Sequence, residues 1–188
     1  MVLFLLLLFG CAPKIEGPLY LYPDPDLAPG YVSILNKAVY ETKDVRITLR
    51  PLEKGISTGS DFIDMLIEDN YRLFEMEMAN LSGDKKVVYN PSHTSLMDNR
   101  FGYKKPLDYT GLYDIALKLE KGPKALNEVK GRFYDLNESV SAGAKVSKIL
   151  IFKPVTDKST KYTVVMNLVY IGTESINLRF SFVLRPRR

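Results

Sequence analysis

The sequence predicts a mainly β protein, an antiparallel β-sandwich that carries a short helical insertion. Near the C-terminus, apolar residues alternate with polar ones as in a half-buried strand: Ile176, Leu178, Phe180, Phe182 and Leu184. The preceding run, residues 162–171, is β-branched and aromatic, and a turn at 172–175 joins both runs into a hairpin. The longest stretch with helical spacing is 108–138, between predicted strands, so we expect it to be an insertion covering one end or face of a sheet.

The first part of the predicted domain contains a strand followed by a short helix. Residues 45–49 alternate between apolar and polar, and Pro51 and Gly55 are expected to end this strand. Residues 61–68 follow a polar loop, and Ser60 is suited to be the N-cap of a helix. Its predicted buried face consists of Phe62, Ile63, Leu66 and Ile67.

The middle of the chain alternates again. In residues 73–78 the pattern directs Phe74, Met76 and Met78 inwards, and Glu75 and Glu77 outwards. A turn is predicted at 82–84, and strands at 87–89 and 94–97, with Pro91 at a break between them.

Two helices are predicted within the insertion. Leu112, Ile115, Ala116 and Leu119 form the apolar stripe of the first helix. Gly122 and Pro123 end it and begin a second helix, whose buried face would be Leu126, Val129 and Phe133. An apolar strand at 149–152 follows, and Pro154 stops it. Six to eight strands with short turns and one helical insertion favour a sandwich of immunoglobulin type.

The N-terminus has a different character. Residues 2–9 are uniformly apolar and lead into Leu8-Phe9-Gly10-Cys11, which contains the only cysteine of the chain. Eight residues reach about 12 Å as a helix, which is too short for a hydrocarbon core of about 30 Å. The segment resembles a bacterial lipoprotein signal. That resemblance implies a leader at residues 1–10, cleavage before Cys11 and lipidation of Cys11; the alternative is an apolar strand or buried helix with a core cysteine.

Residues 11–30 are predicted to be a tether and 31–188 the folded domain. Residues 11–30 contain Pro13, Pro18, Pro23, Pro25 and Pro29, a density of proline that excludes a helix and favours an extended spacer. A plain linker is preferred for residues 12–18. Residues 19–22 are apolar and aromatic, so they could instead lie against the domain as an edge strand.

A second resemblance covers residues 74–182. The segment 74–80 ends in Asn80 before a polar turn, residues 96–102 lead into Pro106, and Gly143 precedes Ile151-Phe152 and Pro154. These pieces resemble the immunoglobulin-like domain of bacterial surface lipoproteins of unassigned function. Lys148 departs from a common glycine of that family, and the helices at 108–138 are longer than its usual connection. The resemblance implies the fold and no ligand.

Composition and motifs favour a protein without catalytic activity, cofactor or metal. The 188 residues are 46% hydrophobic, as in a globular protein, and the net charge of +4 is far from a nucleic-acid-binding footprint. His93 is the only histidine, and there is no glycine-rich phosphate loop or cysteine pair. Glu75 and Glu77 lie about 7 Å apart on one strand face. They could bind a cation, but a solvated outer face is preferred.

The predicted binding residues are Tyr103, Lys104, Lys105, Tyr109 and Tyr113. Tyrosine offers apolar area and a hydroxyl group, which suit contact with a protein or glycan. Together with Tyr134, these tyrosines could equally pack between helices and sheet, which is slightly preferred. The lysine pair would join Lys85-Lys86, Arg185, Arg187 and Arg188 in a basic patch if the turns converge, but separate solubilising lysines are preferred.

The sequence therefore predicts a non-enzymatic envelope lipoprotein, held to a membrane by lipid and binding an envelope protein partner as a scaffolding or assembly module. Ala12 resembles the sorting position of lipoproteins destined for the outer membrane, which would face the domain to the periplasm of a Gram-negative cell. The alternative is a carrier of a small ligand or lipid, with an apolar cavity between the sheet and the helical insertion. A hydrolase is the third and weakest possibility.

Overall fold

A computed structural model describes residues 18–55, 58–118, 124–155 and 158–186. These residues form two antiparallel sheets with helices against one of them. The strands are β1 Leu19–Pro23, β2 Tyr31–Ile34, β3 Lys37–Glu41, β4 Val45–Leu52, β5 Arg72–Asn80, β6 Val87–Tyr89, β7 Thr94–Asp98, β8 Tyr103–Lys104, β9 Glu138–Val140, β10 Lys145–Phe152, β11 Lys161–Ile171 and β12 Glu174–Pro186. The helices are α1 Asp61–Glu68, α2 Tyr109–Lys118 and α3 Lys124–Val129.

The two sheets contain seven and five strands. The first sheet has the order β1-β12-β11-β6-β9. In addition, β7 pairs with β11, and β8 pairs with β7. The second sheet has the order β10-β5-β4-β3-β2. Every strand pair is antiparallel. The predicted antiparallel β-sandwich with a short helical insertion is confirmed, and the immunoglobulin type stays a prediction.

Aromatic side chains join the two layers. Phe74 of β5 packs on Phe182 of β12 with ring centroids 5.0 Å apart, and Tyr31 of β2 meets the edge of Phe180 at 5.2 Å. Both phenylalanines of β12 are fully buried. The predicted hairpin is confirmed as β11 and β12 in the interior of the first sheet, with one irregularity between Met166 and Val169.

The helices cover part of the outer face of the second sheet. Ser60 caps α1 as predicted by accepting a hydrogen bond from the backbone N–H of Ile63. The buried side chains of the helices pack on Leu73 of β5 and on Ile149 and Ile151 of β10. This is possible because alternate residues of these strands face the other way, towards the sandwich core. In the described part of the chain, no helix has the length and apolar character needed to cross a membrane.

Three features differ from the sequence prediction. Phe133, predicted on the second helix, lies beyond α3, which ends at Val129, and forms a β-bridge with Ile149. The strand at residue 45 does not end at Pro51, since β4 continues to Leu52 and Pro51 pairs with Phe74. β4 pairs with β3 only as far as Leu49. On that side, therefore, no hydrogen bond is lost because proline has no N–H group. The predicted tether of residues 11–30 is also too long, because residues 19–23 form β1, the alternative that the sequence left open.

Some predicted features lie outside the described residues. They are the leader, Cys11, residues 12–17 of the tether, Leu119, Gly122, Pro123, and the last two arginines, Arg187 and Arg188.

Candidate functional site

The predicted binding residues occupy two different elements. Tyr103 and Lys104 form β8, an edge strand that pairs only with β7 among the described strands. Tyr109 and Tyr113 lie one turn apart on α2, where their rings stack at 6.4 Å and remain exposed. Lys105 lines a groove of about 200 Å³ that begins beside β8 and reaches Asp108, just before α2. These residues therefore flank one connecting segment without forming a single pocket.

Tyr134 belongs to the core and not to this surface. It is 1% exposed, its ring meets the edge of Tyr89, and its hydroxyl group donates to the backbone oxygen of Met76 at 3.1 Å. Burial raises the pKa of Tyr134 well above its usual range, with a smaller contribution from Tyr89. Tyr134 therefore packs in the core between the two sheets, and not between the helices and the sheet as the second interpretation of the tyrosine cluster had it.

The basic residues do not converge. Lys85 contacts Asp44 at 3.0 Å and lies beside Gly172, in the turn of the β11–β12 hairpin. Arg185 lies near the opposite end of the same hairpin, opposite Tyr20 of β1. An eleven-residue strand such as β11 is about 36 Å long, so these cations cannot share one patch.

The open edge of the second sheet is a site that the sequence did not predict. At the opposite edge, β10 is covered, because Leu107 donates its N–H to Ile151 O at 2.7 Å and Tyr134 donates to Ile149 O at 2.9 Å. At the other side, β2 pairs with β3 and with no further strand of the described chain. One edge of this sheet is thus closed by its own chain, whereas at the other edge the chain engages only the N–H of Tyr31, which donates to Ala28 O at 3.1 Å.

Edge strand β2 is short but contains neither proline nor charge. Proteins protect such edges with proline, charge or bulges, yet residues 31–34 read Tyr-Val-Ser-Ile. A two-residue turn makes Ile34 and Lys37 a hydrogen-bonded pair. Ser33, one residue earlier, therefore directs its backbone N–H and C=O away from β3, towards a strand that could be added.

A groove of about 560 Å³ lies on one side of this edge, along the part of the outer face that the helices leave open. One row across it, read from strand to strand, is Val32, Val39, Thr48, Glu77 and Ser147. The surface changes from apolar at β2 and β3 to charged at β4 and β5. Glu75 faces this groove and contacts Arg50 at 2.6 Å, and Glu77 contacts Lys145 at 3.6 Å.

These contacts favour the interpretation of Glu75 and Glu77 as part of a charged, solvated face. Each carboxylate already has a cation beside it, so a metal ion would have to displace a lysine or an arginine. The described residues contain no group of three or more histidine, cysteine, aspartate or glutamate side chains placed to hold a metal.

A second groove, of about 640 Å³, lies on the other side of the same edge. It is lined mainly by apolar and aromatic groups of the two layers: Tyr22, Pro23, Pro25, Ser33, Leu35, Asn36 and Arg185. Leu35 is 89% exposed and has φ of +57°, a backbone conformation that is unusual for leucine. Val32 and Ile34 thus face one groove, and Ser33 and Leu35 the other.

Each groove contains a cation for which the described chain shows no salt bridge: Lys37 in the first groove, among the Glu41–Arg46 and Arg50–Glu75 pairs, and Arg185 in the second, where Asp24 lies within electrostatic range. The open edge, defined as residues 31–35 with these two grooves, therefore combines backbone groups, apolar surface on both sides and a cation on each side. The sequence contained a pattern that could have indicated this strand, since Val32 and Ile34 alternate with Tyr31 and Ser33 ahead of a short turn.

Comparison with known proteins adds no functional assignment. No family model and no curated protein matches the chain. Among solved structures, the chain is similar to the crystal structure of the yjhA protein from Bacillus subtilis, with 16% sequence identity and a TM-score of 0.43. The match covers 75% of this chain and 93% of that one. A likeness of this extent carries no argument about function.

Proposed function

We propose that this protein is a lipid-anchored lipoprotein of the cell envelope that binds a protein partner and catalyses no reaction. The observation that carries the proposal is the open edge of the second sheet, where an unprotected strand lies between two grooves. An extended segment of the partner adds to β2 as a further antiparallel or parallel strand, a recognised mode of peptide binding. The backbone of Ser33 supplies the hydrogen bonds.

The grooves determine which segment fits. Successive side chains of an added strand point to opposite faces, so they enter the two grooves alternately. Apolar side chains would pack on Val32 and Ile34 in one groove and on Leu35 and Tyr22 in the other. Because Lys37 and Arg185 form no salt bridge within the described residues, acidic residues at either side of the segment would add favourable charge contacts.

Packing under the helices supports a binding module more than a carrier. A carrier would keep an apolar cavity between the helices and the sheet. There, Phe62 and Leu66 of α1, Leu112 of α2 and Leu126 of α3 are buried, in the same cluster as Ile151. These side chains occupy the space in which a lipid would have to lie.

The anchor is tested by replacing Cys11 with alanine. This change is expected to leave the domain folded, because β1 begins only at Leu19, but to prevent lipidation and removal of the leader. Intact mass and partition into detergent, measured on both proteins from envelopes, would show the difference. A parent protein that retains Met1 and partitions into water would contradict the lipid anchor.

The binding edge is tested by Ile34→Lys. A lysine at this position leaves the fold intact, because the side chain is 54% exposed, but it disfavours strand addition. Leu117→Lys is a matched control on α2, since Leu117 is 53% exposed and lies on another surface. We expect Ile34→Lys to lower cross-linking of a partner in native envelopes at least tenfold, with Leu117→Lys unchanged. In the parent complex, the amide of Ser33 should become protected from hydrogen exchange.

Variants of the binding surface that the sequence predicted provide the result that would contradict the open-edge site. If Tyr109→Ala or Lys104→Glu lowers partner recovery while Ile34→Lys does not, the partner binds at β8 and α2 and the open edge is not the site.

A further inference from the structure

The chain enters the domain at the same end of the first sheet as an exposed aromatic loop. Leu19, the first residue of β1, pairs with Pro186 at the end of β12. At the same end of the sheet, β11 begins with Lys161, and Asp98 at the end of β7 pairs with Tyr162. The turn from Asp98 to Gly102 therefore projects from this end, which we call the entry end. The turn of the β11–β12 hairpin, at Gly172 and Thr173, lies at the opposite end.

Phe101 is the most exposed large hydrophobic residue of the described chain, at 97%, and it lies in this turn. Its φ is +65°, in the left-handed region that costs energy for a bulky side chain. A loop without a role would place glycine or asparagine at such a position. A phenylalanine at this position costs free energy twice, because its backbone is strained and its apolar ring is exposed to water.

Polar contacts make the turn rigid. Asp98 Oδ1 accepts from the N–H of Arg100 at 2.8 Å and of Gly102 at 2.7 Å. A Cβ atom at Gly102 would lie 2.3 Å from Asp98 Oδ2, so any other residue would displace the carboxylate that accepts these bonds. Asn99 Oδ1 accepts from the backbone of Thr160 at 3.1 Å, and its amide donates to Thr160 Oγ1. The turn therefore presents Phe101 in one fixed position.

The surroundings of Phe101 carry positive charge. Arg100 is exposed and directly precedes Phe101. Lys158 is exposed in the segment that leads into β11. Lys161 is paired with Asp24 at 2.5 Å, and Arg185 lies on β12 near its last residue. Burial by itself would raise the pKa of Asp24, but its contacts with Lys161 and the N–H of Asp26 bring it below the usual value. Asp24 is thus neutralised by Lys161, and the Asp98 carboxylate accepts from the N–H groups of Arg100 and Gly102 within the turn.

We propose that the entry end is a second membrane contact, in which Phe101 inserts into the interface of a bilayer with anionic lipids while Arg100 binds their phosphates. The inference rests on the lipid anchor proposed above. Six residues separate Cys11 from Pro18, and a chain of this length spans about 25 Å at most. An acyl group on Cys11 would hold the entry end within that distance of the membrane. An aromatic residue flanked by cations is suited to the interface.

The contact would fix the orientation of the domain. With the entry end on the membrane, the long axis of the β11–β12 hairpin stands away from it. The tether alone would leave the domain free to turn, because an extended proline-rich spacer sets distance and not orientation.

The test uses the full lipidated chain in vesicles of phosphatidylethanolamine and phosphatidylglycerol. A polarity-sensitive fluorophore is attached at Tyr103→Cys, an exposed position at the entry end that keeps both Arg100 and Phe101, or at Thr173→Cys as the control at the opposite end. Cys11 does not react, since lipidation consumes its thiol. We expect a blue-shifted emission and at least threefold stronger quenching by lipids brominated near the headgroup at position 103 than at position 173.

Two further measurements make the result specific. Adding Phe101→Ser to the labelled protein should remove most of the quenching at position 103, and replacing phosphatidylglycerol by phosphatidylcholine should weaken it. Equal quenching at both positions, or quenching that Phe101→Ser leaves unchanged, would overturn the membrane contact. Intact mass and flotation with vesicles report the lipid anchor separately, so an anchored protein without quenching refutes only the contact.

Discussion

Replacing Phe180 with alanine is expected to lower the free energy of unfolding by about 3–5 kcal/mol, as truncation of a buried phenylalanine typically does. Phe180 is fully buried and packs against Tyr31 of the other sheet, so its removal leaves a cavity between the two layers. For a domain of this size the midpoint of thermal unfolding should fall by about 6–20 °C. Thermal melts followed by circular dichroism measure it.

Arg179→Ala is the control for this prediction. Arg179 is exposed on the opposite face of β12, and its backbone N–H, which alanine keeps, donates to the hydroxyl group of Tyr31. Its removal should change the midpoint by no more than about 2 °C, since exposed substitutions usually change stability by less than about 0.5 kcal/mol. Equal melts for both variants would contradict the placement of Phe180 between the sheets.

Asn80→Ala is expected to lower the free energy of unfolding by about 2–4 kcal/mol. Asn80 is buried at the end of β5, and its amide donates to Lys85 O at 2.7 Å and to Val140 O at 2.9 Å. Its oxygen accepts from the N–H and the hydroxyl group of Ser82. Each of these four bonds contributes about 0.5–1.5 kcal/mol, and alanine leaves polar partners without a substitute. Denaturation by urea, with an unchanged slope, would measure the loss.

Asn137→Ala is the matched change. Asn137 is exposed, and no hydrogen bond of its side chain is recorded within the described chain. It should leave the urea midpoint unchanged. If Asn80→Ala is tolerated equally well, the four bonds do not stabilise the junction between β5, the turn at Ser82 and β9.

Local chemistry was sufficient for the elements with a clear period. The strict alternation of residues 176–184 is compatible only with a half-buried strand. The apolar side chains at 62, 63, 66 and 67 share one face only if the segment is a helix. Ser60 is a cap because its side chain satisfies a free N–H within the same turn of chain. Such contacts span at most four residues, so the sequence displays them directly.

The boundaries at Pro51 and Leu19 were decided at long range. Whether proline is acceptable in β4 depends on whether another strand needs its N–H, and no pairing with β3 is recorded there. Residues 19–23 become a strand only because β12, more than 150 residues later, offers its edge. Neither fact is contained in the local pattern.

The candidate site was decided in the same way. The sequence indicated Tyr103, Lys104, Lys105, Tyr109 and Tyr113 from residue type alone, and the structure shows most of them at the surface but on separate elements. Tyr134 has the same residue type and is buried. Exposure depends on what packs above a residue, which composition does not record.

By itself the sequence determined the antiparallel sandwich, its central hairpin and the helical insertion, because alternation, helical spacing and turn residues act between near neighbours. Only the tertiary structure decided which sheet edge is closed and which is open. The segments that cover β10 come from Leu107 and Tyr134, whereas no described strand reaches the outer side of β2. An edge is defined by the absence of a neighbour, and neighbours in a sheet are chosen by packing across the whole chain.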